Sequence, residues 1–163
     1  MSNIRYVRID NRYVHGQVAA RLVREYSITK VILINDAYAK DVFMSQLFKS
    51  VAFSGSTVDV VSVEDAVAGW NAGNYEKETV MLLWGNVVDA HRTFMSGLKY
   101  EFLNVGNLGG GPGRERVNKS TYIDAQDAAQ LKELADAGVE VYFQDMPDLP
   151  RTDLDEALKI TQF

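Results

Sequence analysis

Apolar and charged side chains alternate along Ile4-Arg5-Tyr6-Val7-Arg8-Ile9-Asp10, so the spacing predicts a strand with one face toward a core. Residues 11–16 read as a loop and 17–24 as a helix. Val31-Ile32-Leu33-Ile34 is an unbroken apolar run ending in Asn35-Asp36, which suits a strand buried on both faces and then a helix start. An amphipathic stretch covers 39–52, a strand 57–63, and Glu64-Asp65 open a helix that stops near Gly73. Strands at 79–84 and 102–105 flank a helix at 87–95. A short strand at 121–123, a helix over 125–137 stopped by Gly138, a strand at 139–143 and a helix over 153–161 complete the pattern.

Repeated strand–helix units predict an α/β fold, a single domain over 1–163 built on an open, mostly parallel sheet of about seven strands with helices on both faces. In such sheets ligands bind beyond the carboxyl ends of the strands. Residues 10–16, Asn35-Asp36, Gly85-Asn86 and Gly106-Asn107 should therefore gather at one edge.

Composition narrows the chemistry. Hydrophobic residues make up 47% and charged residues 24%, with no apolar run long enough to span a bilayer, so a soluble protein is expected. Nothing in Met1-Ser2-Asn3-Ile4-Arg5 resembles an export signal, and the cytoplasm is the expected compartment. The absence of cysteine excludes disulfides, thiolate nucleophiles and Cys-based metal sites. A net charge of −5 argues against broad nucleic-acid binding. No cofactor is expected, and with two histidines and no cysteine no metal site is expected either.

The densest polar constellation is Arg8-Ile9-Asp10-Asn11-Arg12-Tyr13-Val14-His15-Gly16-Gln17. Near neutral pH much of a histidine is uncharged imidazole, with a nitrogen lone pair able to attack phosphorus. A phosphoryl group in transfer keeps negative charge on its oxygens, so its site needs fixed positive charge and N–H donors. Arg12 can supply the first. Gly16 and Gln17 stand where the unpaired N–H groups of a first helical turn favour an anion. Asp10 can orient Arg12 or accept from an imidazole N–H. The competing reading of the residues is a solvated loop with an incidental histidine.

The Gly-rich segment 106–113 permits close backbone approach, as a loop shielding a phosphate or meeting a partner, or as a plain connector. It lacks the Lys-Ser/Thr ending of a P-loop, and no glycine fingerprint follows the first strand, so a nucleotide site is disfavoured. His91 reads as surface, Trp70 and Trp84 as packing, and Asp36, Asp145 and Asp148 as strand-end acids with no catalytic part.

The run from Arg8 to Val18 resembles the signature of the IIB component of the bacterial sugar phosphotransferase system, mannose/fructose/sorbose family. The resemblance continues in order through Val31-Ile32-Leu33-Ile34-Asn35-Asp36, Thr79-Val80-Met81-Leu82-Leu83, Asn104-Val105-Gly106-Asn107 and Gly138-Val139-Glu140-Val141. It implies a seven-stranded, mostly parallel sheet and a phosphotransferase activity. His15 would take a phosphoryl group on Nδ1 from a IIA partner and give it to a sugar at the membrane IIC and IID components, from the inner face of the cell membrane. It also implies positioning roles for Arg12, Asp10 and Arg8, with loop contacts possible from Gly106 and Asn107. Asn11 departs from an acidic residue common in the family, and Asn107 from a second glycine. Asn104-Val105-Gly106-Asn107 and Gln144-Asp145-Met146-Pro147 resemble the branch handling N-acetylgalactosamine or galactosamine; mannose, fructose and sorbose are the other sugars considered. The alternative function is a non-catalytic module of the same fold that binds an anion or a phosphoprotein.

Overall fold

The computed structural model describes residues 3–14, 16–51, 53 and 55–163. Its strands, in chain order, are β1 (Ile4–Asp10), β2 (Lys30–Ile34), β3 (Thr57–Val61), β4 (Val80–Trp84), β5 (Phe102–Asn107), β6 (Glu115–Arg116), β7 (Tyr122–Ile123), β8 (Glu140–Phe143) and β9 (Thr152–Asp153). Its helices are α1 (Gly16–Glu25), α2 (Asp36–Lys40), α3 (Val42–Lys49), α4 (Val63–Asn71), α5 (Val87–Met95), α6 (Ala125–Asp136) and α7 (Leu154–Thr161). Seven strands form one sheet in the order β3-β2-β4-β1-β5-β8-β9, parallel throughout except for the β8–β9 pair.

The two-residue period of the strands sorts their side chains onto two cores. Val7, Ile9, Ile32, Ile34, Leu82 and Trp84 pack under α4 to α7 through Ala66, Ala90, Leu131 and Ala157. Tyr6, Val31, Leu33, Val58, Met81 and Leu83 face the other way, under Leu22 and Val23 of α1, with Tyr38 of α2 and Phe48 of α3 at the margin. This double burial explains the all-apolar β2 and β4 runs. Arg8 and Asp10 share the Tyr6 face of β1 by the same period.

The sheet has the expected strand number but a different membership. The 121–123 candidate shortens to β7 and pairs antiparallel with β6 in a separate two-stranded ribbon. The seventh strand of the main sheet is β9, paired with Tyr142 and Phe143. The amphipathic stretch over 39–52 takes in the end of α2 and the whole of α3. Asp41 breaks it with extended backbone and caps α3 by accepting from the Met44 N–H. Among the described residues no helix is long and apolar enough to cross a membrane.

Candidate functional site

At the carboxyl edge, β1 runs into a tight turn in which the Tyr13 N–H donates to the Asp10 carbonyl at 2.9 Å. The Asp10 carboxylate closes the same turn by accepting from the Arg12 N–H at 3.0 Å, the local bond an aspartate makes readily with a backbone two residues on. The turn is stitched to the neighbouring strand by Asn11 N–H donating to the Asn107 carbonyl at 3.0 Å.

Asp10 is buried, with 1% exposure, between two guanidiniums. Its Oδ1 accepts from Arg12 Nε at 3.0 Å and its Oδ2 from Arg12 Nη2 at 2.9 Å, a fork-on-fork pair. The same Oδ2 accepts from Arg8 Nη2 at 3.1 Å. Of the two parts open to Asp10, the described residues show the contact to Arg12; the imidazole that the other part needs lies outside them. The hydrogen bond to Asp10 also holds the Arg12 guanidinium above its ordinary range, so its charge is permanent.

Arg8, carried over as a positioning residue at the site, is as buried as Asp10. Its Nη1 donates to Asn104 Oδ1 at 2.9 Å and to the Asp145 carbonyl at 2.7 Å. A charge this desolvated persists only when paired and hydrogen-bonded, and Arg8 is both. It holds Asp10 and the segment after β8 in place rather than lying open to solvent.

Gly106 is what makes room for it. The β1–β5 register slips by one residue between Ile9–Val105 and Asp10–Asn107, a bulge that leaves Gly106 over the guanidinium. A Cβ there would lie 2.1 Å from Arg8 Cζ. Gly106 and Asn107, expected as loop contacts, therefore act through Arg8 packing and through the carbonyl that holds Asn11.

Arg12 is the exposed cation of the group, with 32% of its side chain open. Among the described residues its Nη1 makes no hydrogen bond, so one edge of a fixed guanidinium is available to an anion. Gly16 and Gln17 open α1 as exposed residues, and no acidic side chain stands in its first turn, whereas α2, α4, α5, α6 and α7 each carry one or two. Among the described residues, the first turn of α1 thus places no acidic side chain of its own at the positive end of the dipole. His15, which lies between these two features in the chain, is outside the described residues.

The chain just before His15 is firmly held. Tyr13 adopts a left-handed backbone (φ 58°), which costs a residue with a side chain about 1–2 kcal/mol. Its ring offsets this by packing on Tyr38 and Phe48, and its hydroxyl accepts from Asn35 Nδ2 at 2.7 Å. Burial pushes the phenol above its ordinary range. The ring also lies against Gly85, where a Cβ would sit 2.1 Å from the phenol. Val14 follows, buried beside α1. The β1 turn, Asn35, Gly85 and Asn107 do meet at one edge, as the strand order requires.

Sequence reasoning missed Asp145 and Asn104. Asp145 Oδ1 lies 3.6 Å from Arg8 Nη2 and 3.8 Å from Arg12 Nη2. Asn104 accepts from Arg8 and donates to the Gln144 carbonyl at 3.0 Å. The signal was topological: residues just past a parallel strand next to β5 must reach this edge. The other strand-end acids are spoken for. Asp36 accepts from the Val63 N–H and pairs with Arg92, and these partners hold its carboxyl below the usual range, the backbone N–H most of all. Asp148 pairs with Arg21 of α1 at 3.1 Å.

The Gly-rich segment is clamped at its end. Arg114 donates to the Gly109 and Tyr122 carbonyls and pairs with Asp124 and Asp127. His91, read as surface, is only 16% exposed and meets Glu133 of α6 at 2.7 Å. Among the described residues no three His, Cys, Asp or Glu side chains converge to hold a metal ion. A cleft of about 630 Å³ lined by Ile4, Lys99, Tyr100 and Gly138 opens at the amino ends of the strands, away from the arginines.

Comparison with known proteins bears on this arrangement. The family described as "PTS system sorbose subfamily IIB component" matches residues 4–163. The mannose-specific EIIAB component of the PTS system of Escherichia coli (strain K12) is 35% identical over 134 residues, 82% of this chain and 42% of that protein. The chain thus spans less than half the length of that relative. The fructose-specific EIIB component of Bacillus subtilis (strain 168) is 30% identical over 159 residues, 98% of both chains. The crystal structure of the IIBSor domain of the sorbose permease from Klebsiella pneumoniae shares the fold with a TM-score of 0.90 at 30% identity over 96% of each chain. With the match running from the first strand to the last residue, the chain belongs to the sorbose subfamily of phosphotransferase-system IIB components.

Proposed function

We propose that this chain carries a phosphoryl group on His15 between a IIA phosphohistidine and a sugar. The observation that supports it best is the Arg12 guanidinium, locked by Asp10 with one edge free among the described residues, three residues before His15 and just ahead of the α1 N-terminus. In the first half-reaction the His15 nitrogen lone pair, on Nδ1, forms a bond to phosphorus as the donor N–P bond breaks. The donor imidazole leaves with that electron pair. In the second, a sugar hydroxyl oxygen forms the new bond to phosphorus, the His15 N–P bond breaks, and the hydroxyl proton is released. Throughout, the charge on the phosphoryl oxygens is met by Arg12 and the first N–H groups of α1 at Gly16 and Gln17.

The chain works as one domain over 1–163, on the cytoplasmic side of the membrane. IIA is its donor and the IIC and IID components present the sugar. N-acetylgalactosamine or galactosamine is the sugar that the Asn104 and Gln144 segments suggest; mannose, fructose and sorbose are the alternatives. Both segments also build the Arg8 packing, so sugar choice is best assigned by assay with the membrane components. Incubation with labelled phospho-IIA should place acid-labile phosphate on the wild-type chain and none on His15→Ala. Reversible phosphate binding without label would instead mark an anion-binding module.

A further inference from the structure

Asp145 occupies an unusual place in the arginine cluster. Arg8, Arg12 and Asp10 together carry one net positive charge at the carboxyl edge, and Asp145 is the acid that neutralises it. Yet its Oδ1 lies beyond hydrogen-bonding distance of both guanidiniums, is shut off from solvent although the side chain is 36% exposed, and has no hydrogen-bond partner among the described residues. A desolvated carboxylate oxygen without a donor is unfavourable, so this contact is loosely held. The Asp145 backbone, by contrast, is fixed by its carbonyl on Arg8. The side chain can therefore rotate away while the chain around it stays in place.

Resting on the phosphoryl-carrier reading, we propose that Asp145 is the resting counter-anion of the Arg8–Arg12 pair and competes with the phosphoryl group on His15 for Arg12. Without that second carboxylate, Arg12 would carry an unbalanced positive charge, hold the phosphoryl group tightly and slow its departure. With Asp145 present, the phosphorylated chain must displace a carboxylate, and the same carboxylate returns as the group leaves. Asp145 is thus a positioning residue that keeps the phosphoryl group easy to pass on.

The test compares wild type, Asp145→Asn and Asp145→Ala with inorganic phosphate as probe, by calorimetry on the unphosphorylated protein. Removing the competing charge should tighten phosphate binding about tenfold and make it more sensitive to salt, since the site then carries a net positive charge. The equilibrium of phosphoryl exchange with phospho-IIA should move toward the phosphorylated chain by a similar factor of about ten. Asp145→Glu should restore part of the competition. In an Arg12→Ala background Asp145→Asn should change neither quantity, which a merely structural role would not produce. Unchanged or weaker phosphate binding in both Asp145 variants, with an unchanged exchange equilibrium, overturns the proposal while labelling of His15 stands. If His15 takes no label, the carrier reading fails, and the phosphate affinities alone still decide whether Asp145 competes.

Discussion

One carboxylate, Asp10, serves both guanidiniums, and its neighbours differ in exposure: Arg8 is sealed and Arg12 is partly open. Substitutions should separate the two roles. Asp10→Asn strips a buried charge from between two cations, and breaking such a pair costs about 3–5 kcal/mol. Urea unfolding should show that loss as a lower midpoint with an unchanged slope. Arg12→Ala removes the open cation. Its phosphoryl uptake should fall about a hundredfold, while stability should fall less than in Asp10→Asn, because Asp10 keeps Arg8 and the residue-12 N–H as partners. Single-turnover transfer and thermal melts on the same samples check both. The two arginines and Asp10 were legible in the sequence because they share one eight-residue neighbourhood with His15. Asp145 and Asn104 were not, because only tertiary pairing of β1 with β5 and of β5 with β8 brings them there.

At the scale of elements, the turn before His15 is set by what neighbouring strands leave out. Tyr13 needs Gly85 at the end of β4, as Arg8 needs Gly106 in the β5 bulge. Gly85→Ala puts a Cβ into the Tyr13 ring, and overpacking of this kind costs about 1–3 kcal/mol. Displacing the Tyr13 anchor should also slow transfer about a hundredfold, since small misplacements of a reacting group are costly. A rate close to wild type would show that the anchor does not position the loop. Strands with apolar runs and the helix start at Asn35-Asp36 could be read directly from the pattern, whereas the caps at Ser62, Asn86 and Asp124 come from the structure. Glu115–Arg116 and Thr152–Asp153 could not, being two-residue strands with no apolar alternation to betray them. Neither could the break at Asp41, where a capping carboxylate overrides a continuous amphipathic stretch.

Across the whole molecule, burial does the most to set the response to pH. Six of the eight tyrosines, Tyr6, Tyr13, Tyr26, Tyr75, Tyr100 and Tyr142, have phenols pushed above their ordinary range, in each case chiefly by burial. The folded state holds these protons more tightly than the unfolded chain. That contribution to stability is complete below the unfolded phenol value of ~10 and is lost as pH rises through the folded values. Urea midpoints should therefore decline above about pH 10, together with a delayed rise in tyrosinate absorbance. Midpoints that stay level through that range would contradict the burial of these rings.

The central claim is that His15 itself bears the phosphoryl group. Phosphorus NMR of the chain after incubation with phospho-IIA, followed by peptide mapping, addresses it most directly. The account predicts one phosphohistidine resonance, substituted at Nδ1, on the peptide containing His15, absent from His15→Ala. A phosphate on any other residue, or an equal signal from His15→Ala, would contradict it.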